Sequence, residues 1–104
     1  MFENEVRNVL EKRMNTNDED DFTIYKYRDE LVELLSKNEE ETIKILCELS
    51  EEEILYVSEV FEEIAEKLQS CSYINFLWKL ERKFPNLNLK RCVEVAENFV
   101  DKKC

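Results

Sequence analysis

Glu59, Glu62, Glu63 and Glu66 stand at i, i+3, i+4 and i+7 of one stretch, and Glu94 and Glu97 at i and i+3 of another. On a helix each set shares one face. Carboxylates paired across two helices are the ligands that Mg²⁺ accepts. Other chemistry is hard to build from this chain. It has no histidine, so there is no imidazole acid or base and no Ser–His or Cys–His pair. It has no glycine, so the usual phosphate-cradling loops are absent. Its four cysteines, Cys47, Cys71, Cys92 and Cys104, contain no Cys-x-x-Cys spacing, and without histidine no zinc set is complete. The run Asn15 to Asp21 has the carboxylate density of a calcium loop but lacks its central glycine and ligand spacing.

The element that positions the glutamates is the stretch 50–70. At 100° per residue, Ile54, Val57, Phe61, Ile64 and Leu68 fall in one narrow arc, flanked by Val60 and Ala65. Glu59, Glu62, Glu63 and Glu66 occupy the opposite arc. Ser50 is an N-cap with Glu53 at capping-box spacing. The apolar seam must face inward, so the glutamate face is solvated. All-helical magnesium-dependent nucleotide pyrophosphohydrolases turn their acids inward instead. That enzyme is therefore the minor reading, and we expect no catalytic residue, metal or cofactor. Leu55 breaks the acidic face, pointing about 150° from the seam, and Tyr56 flanks it. Either they form an apolar interaction patch, or Leu55 packs under a neighbouring loop.

The rest of the chain is also helical. Phe2, Val6, Val9, Leu10 and Met14 give a helix over 2–14. Ile24, Tyr27, Leu31, Leu34 and Leu35 give one over 22–37. Asn38, with Glu41 three residues on, caps a short helix over 42–49. The link at Leu49-Ser50 is short enough to force an αα-hairpin or corner. Over 72–84, Tyr73, Phe76, Leu77, Leu80 and Phe84 share a face, but Ile74 and Trp78 lie round from it. That helix is central, or those two residues line a self-interface. Pro85 ends it, and Asn88 reads as the N-cap of a last helix, 89–102, whose face is Leu89, Cys92, Val93, Ala96, Phe99 and Val100. The expected fold is all-α: residues 1–104 as one domain, a compact bundle of about six helices that could take the form of stacked, HEAT-like αα-hairpins.

With 25 acids against 15 bases the net charge is −10. Residues 79–104 carry seven bases (Lys79, Arg82, Lys83, Lys90, Arg91, Lys102, Lys103) and four acids (Glu81, Glu94, Glu97, Asp101), a net of +3, which leaves −13 on the first 78. Such a surface repels nucleic acid and anionic membrane and attracts basic proteins, or serves solubility alone. No signal peptide or bilayer-spanning run is visible. The cytoplasm is the expected compartment, with reduced cysteines behaving as small apolar residues and Cys104 as a mobile free thiol.

Residues 25–31 (YKYRDEL), 38–44 (NEEETIK), 52–64 (EEILYVSEVFEEI) and 83–89 (KFPNLNL), with the helix that follows, resemble small bacterial immunity proteins of polymorphic or contact-dependent growth-inhibition toxin systems. The likeness covers roughly three quarters of the chain and lies in helix and core patterns. It implies a cytoplasmic inhibitor that binds one cognate antibacterial toxin, a nuclease in many such systems, and covers its active site. The helical wheel, and not the resemblance, supplies the expected partner-binding residues: Leu55, Tyr56, Glu59, Glu62, Glu63 and Glu66. The alternative is a helical interaction or oligomerisation module without a toxin partner. Homo-oligomerisation is left open.

Overall fold

Four helices begin at a side chain that accepts a hydrogen bond from the backbone N–H three residues on. Asp20 accepts from Thr23, Asn38 from Glu41, Ser50 from Glu53 and Ser70 from Tyr73. At Ser50 the Glu53 carboxylate also accepts from the Ser50 N–H, completing a capping box. A computed structural model describes residues 2–101. It contains α1 (Phe2–Met14), α2 (Asp21–Leu35), α3 (Glu39–Glu48), α4 (Glu51–Val57), α5 (Phe61–Leu68), α6 (Cys71–Lys83) and α7 (Lys90–Asn98). A 3-10 turn, Ser58–Val60, joins α4 to α5, and another, Pro85–Leu87, precedes α7. Because α4 and α5 form one bent rod, the described residues make an all-helical bundle of six rods, with no strand.

α1 packs along α2, and this pair lies across the bent rod: α1 against α4, α2 against the 3-10 turn and α5. On the other side α5 and α6 pack on α7, and α3 packs on α6. Apart from Ile24, the buried apolar residues form a single cluster drawing on every helix. Its largest side chains are Tyr73 and Phe61, each worth about 1.5–3 kcal/mol of burial. The Tyr73 hydroxyl donates to the Phe61 carbonyl at 3.2 Å, so the buried phenol is satisfied. Burial holds its pKa well above the ordinary value of 10.0. Ile74 is fully buried, and Trp78 packs half-covered against the core with its indole N–H 3.5 Å from Glu97 Oε2. The wide apolar arc of α6 is therefore that of a central helix. Leu49-Ser50 makes a corner: α3 turns away to α6 instead of lying along α4.

The structure departs from the sequence reading at five places. The rod 50–70 is not a single regular helix. It changes to 3-10 geometry at Ser58–Val60, where Val60 sits at φ −123° and ψ 13°. The 3-10 turn winds at three residues per turn, so the wheel of α5 is offset from that of α4. Asn88 does not cap α7. It closes the Pro85–Leu87 turn at φ 54°, and α7 starts after Leu89 with no side-chain cap. Gln69 takes the second positive φ, 48°, at the end of α5. In a chain without glycine, its amide offsets that strain by bonding the carbonyls of Glu66 and Phe99 and the Asp101 N–H. α7 ends at Asn98, and Phe99, expected on its buried face, is 40% exposed. Cys71 is disulfide-bonded, while Cys47 and Cys92 are free thiols, Cys47 being exposed. The expectation for Cys104 falls outside the described residues.

Candidate protein-interaction surface

Arg13 lies three residues after Leu10 and seven after Val6, on the apolar stripe of α1, and is only 5% exposed. A guanidinium cannot lose its charge, so burial there requires an acid. Glu59 supplies it. Arg13 Nε donates to Oε1 at 2.9 Å and Nη2 to Oε2 at 2.7 Å. Arg28 of α2 approaches the same two oxygens at 3.4 and 3.0 Å. One carboxylate thus takes two forked guanidiniums from two helices. The Arg13 guanidinium also lies 5.0 Å from the Tyr56 ring centre, and that of Arg28 lies 5.5 Å from Tyr25. The resulting chain of contacts, Tyr25–Arg28–Glu59–Arg13–Tyr56, ties α2, α1 and the bent rod together. Arg13 Nη1 is buried without a hydrogen-bond partner, with the exposed Asp18 carboxylate 4.0 Å away.

Partial burial alone would raise the Glu59 carboxyl. The hydrogen bonds from Arg13 and then Arg28 outweigh it and hold the group below its ordinary value. In turn, the hydrogen bond to Glu59 raises Arg28. Glu63 goes the other way. Partial burial against neighbouring chain, then the like charges of Asp29 and Glu62, hold its carboxyl above the ordinary value.

These facts sort the six expected contact residues. Glu59 is not a solvated contact residue: it is half-buried and engaged inside the molecule. A wheel of the rod places it opposite the core seam, but the α1–α2 pair covers that side as well. Tyr56 is half-buried against the core, beneath Arg13. Leu55 is 43% exposed. Glu63 and Glu66 are exposed and Glu62 is half-buried, and no salt bridge engages any of the three among the described residues. Of the six, Leu55, Glu63 and Glu66 are therefore exposed and Glu62 half-buried, and Asp29 of α2 lies close enough for its charge to act on Glu63. The sequence reading missed Arg13 and Arg28, although an arginine on the apolar stripe of α1 calls for an acidic partner elsewhere. It also missed Phe22 and Tyr25, which are 84% and 59% exposed.

The acids of α5 and α7 do not gather into an ion site. Among the described residues, no group of three or more acids and cysteines is placed to hold a metal. A hollow of about 520 Å³ is lined by Asn8, Glu11, Lys12, Asn15, Thr16 and Tyr27, away from the α5 glutamates. No helix among the described residues is long and apolar enough to cross a membrane. Comparison with protein-family models, with curated proteins and with solved structures finds no match.

Proposed function

We propose that this protein is a cytoplasmic immunity protein. In this reading it binds the basic surface of one cognate antibacterial toxin, in keeping with a nuclease cleft, and covers the active site. The observation that carries the reading is an unneutralised acidic surface. Arg13 and Arg28 both bridge to Glu59, and neither forms a salt bridge with an α5 glutamate among the described residues. Glu62, Glu63, Glu66 and Asp29 form no salt bridge among the described residues, and partial burial followed by the like charges of Asp29 and Glu62 holds the Glu63 carboxyl above its ordinary value, with Arg28 offsetting part of this. A cationic partner relieves that repulsion, and the net charge of −10 steers it in quickly. Leu55 supplies apolar contact beside the acids. The resemblance to immunity proteins narrows "basic partner" to "toxin".

Co-expression with the product of the neighbouring gene tests this. Cells that survive that product only when this protein is present support immunity. Absence of toxicity from any neighbouring product, with no stable complex, would refute it. On the contact face, reversing Glu62, Glu63 and Glu66 to lysine should weaken the complex at least a hundredfold and flatten its salt dependence. The self-association alternative located its interface at Ile74 and Trp78, and the burial of Ile74 removes half of that patch.

A further inference from the structure

Phe22 and Tyr25 are the two most exposed large apolar side chains among the described residues. They lie three residues apart in the first two turns of α2, Phe22 well round from the buried residues Ile24, Leu31, Val32 and Leu35 and Tyr25 at the edge of that stripe. Phe22 is 84% exposed, and Tyr25, with Arg28 against its ring, is 59% exposed, whereas Phe61 and Tyr73 are buried almost completely. Exposed aromatics grouped on one helix face are a contact surface in search of an occupant. The surrounding charge says which kind.

Four consecutive acids, Asp18, Glu19, Asp20 and Asp21, precede Phe22, and all are exposed. Asp20 is engaged in capping α2, and the Glu19 N–H is held by Asn17, so the loop backbone that carries the remaining carboxylates is tied down, with Asp18 also 4.0 Å from Arg13. An apolar partner would have to strip water from these carboxylates without replacing it. A nucleic acid would be repelled. A cationic segment meets both demands, because the rings take a cation on their faces while the carboxylates neutralise it. Tyr25 already performs this chemistry within the molecule, holding the Arg28 guanidinium 5.5 Å from its ring centre. The flat guanidinium stacks on rings and forks onto carboxylates, and the lysine ammonium does neither as well.

We infer that the start of α2 is a docking surface for an arginine-bearing segment of a partner protein, with Phe22 and Tyr25 stacking the guanidiniums and Asp18, Glu19 and Asp21 pairing with them. This rests on the reading of the protein as a binder of a basic partner, and it adds a second contact surface of arginine-selective character to the α5 glutamates. A self-associating copy is disfavoured by the repulsion between two chains of −10.

The test is an NMR titration of the full chain with end-blocked hexa-arginine and hexa-lysine peptides at matched ionic strength. Hexa-arginine should bind roughly tenfold tighter, with shifts centred on residues 18–25. The double variant Phe22→Ala/Tyr25→Ala removes no charge. It should erase that preference while leaving hexa-lysine affinity within about twofold. It also frees one face of Arg28, so the single variant Phe22→Ala, which leaves the Tyr25–Arg28 contact in place, should show the same loss in part. Replacing Glu62, Glu63 and Glu66 by glutamine should weaken both peptides alike and keep the preference. An unchanged preference in the aromatic-free variant, or shifts that map elsewhere, overturns the proposal. So does a concentration-dependent dimer lost in that variant, which would assign the surface to a second copy. Because the peptides replace the toxin, the two readings fail separately. Failed rescue with arginine selectivity intact removes immunity and keeps the docking surface. Rescue without aromatic-dependent selectivity does the reverse.

Discussion

Replacing Glu59 by alanine should cost this small protein much of its stability. Glu59 accepts two short bonds from Arg13, at 2.9 and 2.7 Å, and two longer ones from Arg28, at 3.4 and 3.0 Å. Arg13 has no other hydrogen-bond partner for its guanidinium, its Nη1 being already unsatisfied with Asp18 4.0 Å off. Truncation at Glu59 therefore strands a buried cation. Breaking a fully buried pair in this way costs about 3–5 kcal/mol. Here Glu59 and Arg28 are partly hydrated, so the lower end, about 3 kcal/mol, is expected. For a domain of this size that lowers Tm by roughly 12–24 °C. Glu59→Gln, which keeps an acceptor but no charge, should cost about 2 kcal/mol. A double-mutant cycle should then couple Glu59 to Arg13 by about 2 kcal/mol and to the more exposed Arg28 by about 1 kcal/mol or less. The pH dependence has a definite sign. The Glu59 carboxyl is lowered in the fold from its ordinary 4.5, so its contribution is complete above that value and lost as pH falls through the lower folded pKa. The gap between wild type and Glu59→Gln should be full at neutral pH and close under acid conditions. Urea denaturation from neutral pH down to about 3 measures all of this. A loss below about 1 kcal/mol for Glu59→Ala at neutral pH would show that Glu59 is the solvated residue a helical wheel suggests.

The same measurement checks four further substitutions. The Glu63 carboxyl is raised in the fold, so its ionised form opposes folding at neutral pH; Glu63→Gln should stabilise by about 0.3 kcal/mol after solvent screening, and the gain should disappear on acidification. Gln69→Ala keeps the left-handed backbone but loses three hydrogen bonds, and should cost about 1–2 kcal/mol, whereas Asn88→Gly, at φ 54°, should be neutral or stabilising by up to about 1 kcal/mol. Ser50→Ala removes half of the capping box at the start of α4 and should cost about 1 kcal/mol.

Local signals in the sequence were sufficient for the helices and several of their caps. α1 spans the expected residues, and Asn38 and Ser50 cap as their side chains predict, because a cap needs only an acceptor and the next three residues. Burial of Ile54, Val57, Phe61 and Ile64 followed from period alone, since a single stripe has one way to face a core. What period cannot convey is a second layer. Glu59 lies opposite the seam on a wheel, yet α1 and α2 cover that side and bring two arginines to it. The break at Ser58–Val60 has no proline or glycine to mark it, and the seam continues through it. Asn88 satisfies the pattern for an N-cap and the pattern for a left-handed turn equally, and the tight Pro85–Leu87 turn selects the second. Phe22 was placed in a helix but not on a face, and an aromatic near the start of a helix carries no local sign of whether anything covers it.

The 3-10 turn divides one rod into two segments with different tolerance for change. Within the turn itself Glu59 is fixed by two helices, so a library randomised at that position should collapse back to glutamate under selection for folding. On the far side Glu62, Glu63 and Glu66 form no salt bridge among the described residues, so the same selection should leave them nearly unconstrained. A recognition surface built this way can drift to fit a new partner without renegotiating the fold beneath it.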